Sequence, residues 1–182
     1  FFPKIRTEAI EQYFKEQNEI FDEKSSFASS ICNGNMTLYF NLINNFETIV
    51  SKLDKMIDLL FNYDLNKWDI FSKKIEISEF KYLLNLLSLF LSDIILYNEY
   101  KIKEKLNFKN YYKKIVLLSK HYKVETLEQL INLINAAKQD INKNVFKPLL
   151  ITSLYIELTQ ALDNNKFDKI TFSALNLNNQ YE

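Results

Sequence analysis

The sequence predicts an all-α protein, and three observations carry that expectation. The 182 residues include one Gly, Gly34, and two Pro, Pro3 and Pro148. β-rich folds and phosphate-binding loops need many more glycines for tight turns and positive φ. Apolar residues recur three and four apart over most of the chain, the spacing of a helix with one buried face. Asn supplies the punctuation instead of Gly: Asn44-Asn45 and Asn164-Asn165 fall where helical patterns end, and Asn tolerates the left-handed conformation at helix ends.

The elements follow in order. Thr7 reads as the cap of a first helix, with Glu8 in its first turn and Ile10, Tyr13 and Phe14 on one face. Asp22 reads as the cap of a second, with Phe27, Ile31 and Cys32 inward and an end at Asn33-Gly34. A third begins after Asn35 and carries Leu38, Leu42 and Ile43. From Phe46, the residues Ile49, Val50, Leu53, Ile57 and Leu60 fit a longer amphipathic helix. A short helix around Trp68 and Phe71 follows Asp64. The most apolar segment runs from Phe80 to Tyr97, broken by a narrow polar stripe of Lys81, Asn85, Ser88 and Ser92. Such a helix is expected at the centre of a bundle, nearly surrounded. A membrane span is not expected, because Asn85 and Asp93 interrupt the run and no stretch of about 18 uninterrupted apolar residues exists.

A further helix is predicted from about Asn107 to Ser119. Thr126-Leu127-Glu128-Gln129 reads as a capping box that opens the next one, with Leu127, Leu130, Ile131, Ile134 and Ile141 on one face. A break is expected near Asn144, before Pro148, which a first turn tolerates. The last helix carries Leu149, Leu150, Leu154, Ile156 and Leu158, fading near Asn164-Asn165. No repeat is evident. The organisation expected is a small three-helix unit over residues 1–45, a helical bundle over 46–164 and a loosely held tail over 165–182.

Composition removes whole classes of chemistry. A Walker loop and a dinucleotide fingerprint each need several glycines, and the chain has one. A Cys/His zinc site needs more than Cys32 and His121, the only residues of those types. His121 reads as a residue at the polar end of a helix, and Cys32 as a buried thiol in a reducing compartment. No cofactor is implied, and no catalytic residue is assigned. Asp93, an acid within the central helix, is expected to need a hydrogen bond or ion pair. The 23 basic and 23 acidic residues cancel, against a role in coating nucleic acid. Yet from Glu99 to Lys123 eight Lys face two Glu, with Tyr100, Phe108, Tyr111 and Tyr112 interleaved. Lys101, Lys103, Lys105, Lys109, Lys113 and Lys114 could contact phosphate backbone, although a solvated helix face explains the pattern equally well. The start, Phe1-Phe2-Pro3, lacks Met and resembles no signal peptide, so the chain reads as a cytoplasmic fragment of a longer protein.

Four passages together resemble the region downstream of the ATPase core in clamp-loader subunits of bacterial DNA polymerase III, of the delta prime type. Phe2-Pro3 leading into Thr7-Glu8-Ala9-Ile10-Glu11-Gln12-Tyr13-Phe14 is similar to the family's passage into the AAA+ lid. Ala28 through Leu38, centred on Gly34, looks like the lid's turn between its second and third helices. Leu89-Phe90-Leu91-Ser92-Asp93-Ile94-Ile95 is similar to the aromatic-x-Arg-Asp-Leu-Leu run of the collar, with Ser92 in the place of Arg. Ala136-Ala137-Lys138 through Asn142-Lys143-Asn144-Val145, then Leu149 and Leu154, resembles the last helix pair of the collar. There Phe146 replaces a usual Asn and Thr152 a usual Glu.

The resemblance implies a lid and collar without the AAA+ core. Gly34, Asp93 and Asn144 are its family-matched structural positions. Its partners would be the other clamp-loader subunits, joined as a hetero-oligomer through the collar, with DNA contact secondary and no membrane. The parent would belong to the DNA polymerase III holoenzyme and the fragment itself would not be an enzyme. ATP-using members place an Arg where this chain has Thr37, and Thr lacks the charged fork that senses a γ-phosphate. That makes Thr37 a degenerate sensor position. The alternative expectation is an unrelated helical module that binds a partner helix or peptide in an apolar groove.

Overall fold

The computed structural model describes residues 9, 12, 13, 16, 23–32, 35–141 and 146–163. The fold is all-α, with eight α-helices and no strand among the described residues. They are α1 (Glu23–Cys32), α2 (Met36–Asn44), α3 (Phe46–Phe61), α4 (Leu65–Lys73), α5 (Ile77–Tyr100), α6 (Tyr112–His121), α7 (Val124–Ile141) and α8 (Lys147–Asp163). Two single 3₁₀ turns, Lys103–Lys105 and Lys109–Tyr111, join α5 to α6.

The caps explain several of these limits. The Asn35 side chain accepts the Leu38 backbone N–H at 3.1 Å and opens α2, and Asp64 does the same for Lys67 at 3.0 Å to open α4. The latter contact and the Lys67 ammonium hold the Asp64 carboxyl below the ordinary value. Two helices stop where a non-glycine residue turns left-handed: Tyr63 at φ 57° after α3 and Lys101 at φ 56° after α5. Pro148 lies in the first turn of α8, where its missing N–H leaves no helical bond unmade.

The long helix α5 is central. It packs against α3, α6 and α7, while α8 covers α3, α4 and α7. Its residues Phe80, Leu83, Leu84, Leu87, Phe90, Leu91 and Ile94 are fully buried, and Asn85 and Ser92 of the polar stripe are exposed. By length and composition α5 is the one described helix apolar enough to cross a bilayer, and half of its most apolar window is buried inside the fold. One core runs from Phe27 on α1 to Leu162 on α8. Trp68 sits in it with no exposed surface, its indole N–H donating to the Ile151 carbonyl at 3.2 Å and its ring 4.8 Å from Tyr155. Tyr155 in turn donates to the Leu59 carbonyl at 3.2 Å, and burial pushes its phenol up to about 12.

Five expectations need correction. Tyr13 is 53% exposed, so it does not lie on a buried face; its phenol tolerates water. Thr126 does not cap α7. The helix starts at Val124, with the Lys123 carbonyl accepting from the Leu127 N–H at 3.2 Å. Four residues before Leu130, Thr126 therefore falls on the buried face, and its hydroxyl is buried with no hydrogen-bond partner among the described residues. Leu149 and Ile156 are 64% and 41% exposed, and the inward positions of α8 are Leu150, Ile151, Leu154, Tyr155 and Leu158. The helix predicted from about Asn107 opens as a 3₁₀ turn at Lys109 and becomes α-helical at Tyr112. Lys114 is held by carboxylates, as described below. Thr7, Glu8, Ile10, Phe14, Asp22 and the segments 33–34, 142–145 and 164–182 lie outside the described residues, so the caps, breaks and tail expected there do too.

Candidate functional site

Asp93 is the buried charge of the molecule's centre, 1% exposed on the inner side of α5. Its two carboxylate oxygens accept separate bonds. The Phe108 backbone N–H donates to one at 2.7 Å and the Asn107 side-chain amide to the other at 2.9 Å. Both donors come from the connection after α5, fourteen and fifteen residues on. Burial raises the Asp93 carboxyl above its ordinary value, opposed by these N–H donors. The group has the form of a clasp. It draws the chain back onto α5 ahead of the 3₁₀ turn that leads into α6.

Phe108 completes the clasp. It is fully buried, and its ring makes edge-on contacts with Phe27 at 5.4 Å, Phe90 at 5.9 Å and Tyr111 at 5.7 Å. Ser30 on α1 also donates to the Asn107 carbonyl at 3.2 Å. The two residues that bind Asp93 thus also meet the first described helix. Sequence reading placed Phe108 among aromatics interleaved with lysines. Its one legible sign of burial is the triplet Leu106-Asn107-Phe108, whose apolar residues flank an amide.

The six candidate lysines divide. Lys114 is turned inward with a side chain 14% exposed, 2.9 Å from Asp58 and 3.5 Å from Asp54. Two carboxylates of α3 hold its ammonium, which excludes it from a phosphate-binding face. Burial raises the Asp54 carboxyl, opposed by Lys114 and a hydrogen bond from Tyr111. Lys101, Lys103, Lys105, Lys109 and Lys113 are exposed. Three of them lie over tyrosine rings: Lys101 at 5.1 Å from the Tyr97 centroid, Lys103 at 5.2 Å from Tyr112 and Lys105 at 4.3 Å from Tyr100. The Tyr97 and Tyr112 hydroxyls share a hydrogen bond of 3.3 Å. That bond is the main cause of the upward shift of the Tyr97 phenol.

Thr37 is exposed in the first turn of α2. Gly34 and Asn144 lie outside the described residues. Cys32 is buried at the end of α1, its thiol 3.4 Å from the Ser29 carbonyl. His121 ends α6 and is partly covered. No group of three or more His, Cys, Asp or Glu among the described residues is placed to hold a metal ion. No protein-family model matches this chain, and no curated protein or solved structure matches it either.

Proposed function

We propose that the chain is a non-catalytic scaffold of a bacterial DNA polymerase III clamp loader, of the delta prime type. In this reading it helps assemble, in the cytoplasm, the complex that loads the sliding clamp during replication. The observation that carries it is the order of the four passages, from Phe2-Pro3 to Leu154, along an all-helical chain. The third passage adds support: its Asp93 is committed to two structural hydrogen bonds, as an architectural residue of a collar requires. Thr37 in the sensor position favours a subunit that does not turn over ATP.

A second reading, an unrelated helical interaction module, draws on Phe146, Leu149 and Ile156. They are 71%, 64% and 41% exposed along one side of the start and middle of α8. A collar subunit also needs an apolar flank, so co-assembly discriminates the two. The tagged 182-residue chain, co-expressed with the other clamp-loader subunits, is expected to elute with them in size-exclusion chromatography. A folded chain that elutes alone removes the scaffold reading and leaves the module. The delta prime assignment further expects no tight, Mg²⁺-dependent ATP binding by the longer parent protein, and calorimetric detection of such binding overturns it.

A further inference from the structure

Some lysines of the molecule are paired with carboxylates and others are not, and the unpaired ones are densest between residues 101 and 113. Lys24, Lys52, Lys67, Lys73 and Lys114 each meet a carboxylate within 3.5 Å. Lys101, Lys103, Lys105, Lys109 and Lys113 make no ion pair with any carboxylate among the described residues. They crowd into thirteen positions that contain one acid, Glu104, from the cap of α5 at Lys101 across the two single turns to Lys113 in the first turn of α6. Their side chains are exposed; Lys101, Lys103 and Lys105 lie over tyrosine rings, and Lys101 also donates to the Asn98 side-chain oxygen at 3.2 Å. Tyr100, at the last turn of α5, is 51% exposed with the Lys105 ammonium against its ring.

We propose that this connection binds single-stranded nucleic acid, with the five lysines on phosphates and the Tyr100 ring stacking a base. Uncompensated cations beside a half-open aromatic ring are the two parts such a site needs, because phosphate contacts supply affinity and a π-face accepts any base. A duplex fits less well: the short turns present no helix to a groove, and paired bases offer no free face to Tyr100. Ile102, two residues on, is 39% exposed and adds apolar surface to the same segment. The site stands independently of the clamp-loader reading, since it rests on charge and exposure alone.

The test is fluorescence anisotropy of labelled oligo-dT of about 20 nucleotides, titrated with the 182-residue chain at several salt concentrations. Binding is expected to weaken with salt at a log–log slope of roughly −3.5, as about five neutralised phosphates on a single strand require. The pair Lys103→Gln and Lys109→Gln should reduce that slope by about 1.4. Tyr100→Ala should weaken binding roughly tenfold with the slope unchanged, while Tyr100→Phe keeps the affinity. Lys73→Gln, whose lysine is paired with Asp69 on α4, should change neither. The proposal is overturned by absence of binding at about 50 mM salt, where phosphate contacts are strongest. Equal affinity for duplex with no effect of Tyr100→Ala also overturns it. So does binding to phosphatidylserine vesicles without binding to oligo-dT.

Discussion

The two ends of α5 hold cations in opposite ways. At its N-terminal end, the Lys52 ammonium of α3 is 2.5 Å from the Glu79 carboxylate. Beside it, Lys147 of α8 donates to the Ile75 carbonyl just ahead of the helix. Phe80 is fully buried there, edge-on to Trp68 at 6.4 Å. Those contacts join elements far apart in sequence, so the cations at this end are structural. At the C-terminal end the partners are local. Lys101 lies over Tyr97 and Lys105 over Tyr100, within one or two turns, and no carboxylate intervenes. One end is tied into the core. The other is held to α5 by Asp93 and leaves its charges facing water.

Substitutions at each end sharpen that contrast. The largest effect is expected at the N-terminal end, where Trp68→Ala removes a fully buried ring and the hydrogen bond to Ile151. A loss of about 3–5 kcal/mol is expected in urea unfolding followed by circular dichroism, and a loss below about 1 kcal/mol would show that α4 and α8 are not locked through this ring.

At the C-terminal end Asp93→Ala leaves the buried Phe108 N–H without its acceptor, and a loss of about 2–3 kcal/mol is expected. Asp93→Asn should recover only part of it, since an amide offers one acceptor oxygen where two donors converge. The same carboxyl gives a pH signature. Burial holds it above its ordinary value of 3.8, so the folded chain keeps a proton that the unfolded chain has lost. Its contribution to stability is therefore greatest below 3.8 and declines as pH climbs through the raised value. Melting curves of the wild type against Asp93→Asn across that interval should show the wild type gaining relative to the variant toward acid, and a relative gain toward higher pH contradicts it.

The smallest effect concerns Lys101, left-handed at φ 56°. Lys101→Gly relieves the cost of a side chain in that conformation and should stabilise by about 0.5–1 kcal/mol. Loss of stability instead would mean that the contact of Lys101 with Tyr97 outweighs backbone strain.

Much of the fold was legible because helix formation follows local chemistry. The helix starts after Asn35 and Asp64 and the inward faces of α3, α5 and α7 all depend on residues within a turn of one another. The misreadings share a cause in the other direction. Thr126 has the spacing of a cap, yet it lies on a face that α7 buries. Leu149 and Ile156 are apolar, yet the packing of α8 against α3, α4 and α7 uses the neighbouring positions. Lys114 reads like its five neighbours until α3 brings Asp54 and Asp58 to it.

The sequence by itself determined the fold class, the need of Asp93 for partners and the exclusion of glycine-dependent nucleotide loops, because each follows from residue type and near neighbours. Only the tertiary structure decided which partners Asp93 takes, that Phe108 is core, and which lysines keep their charge open to water. Those outcomes depend on groups 14 to 60 positions apart being brought within a few ångströms, and helical periodicity carries no information about which distant residue will arrive.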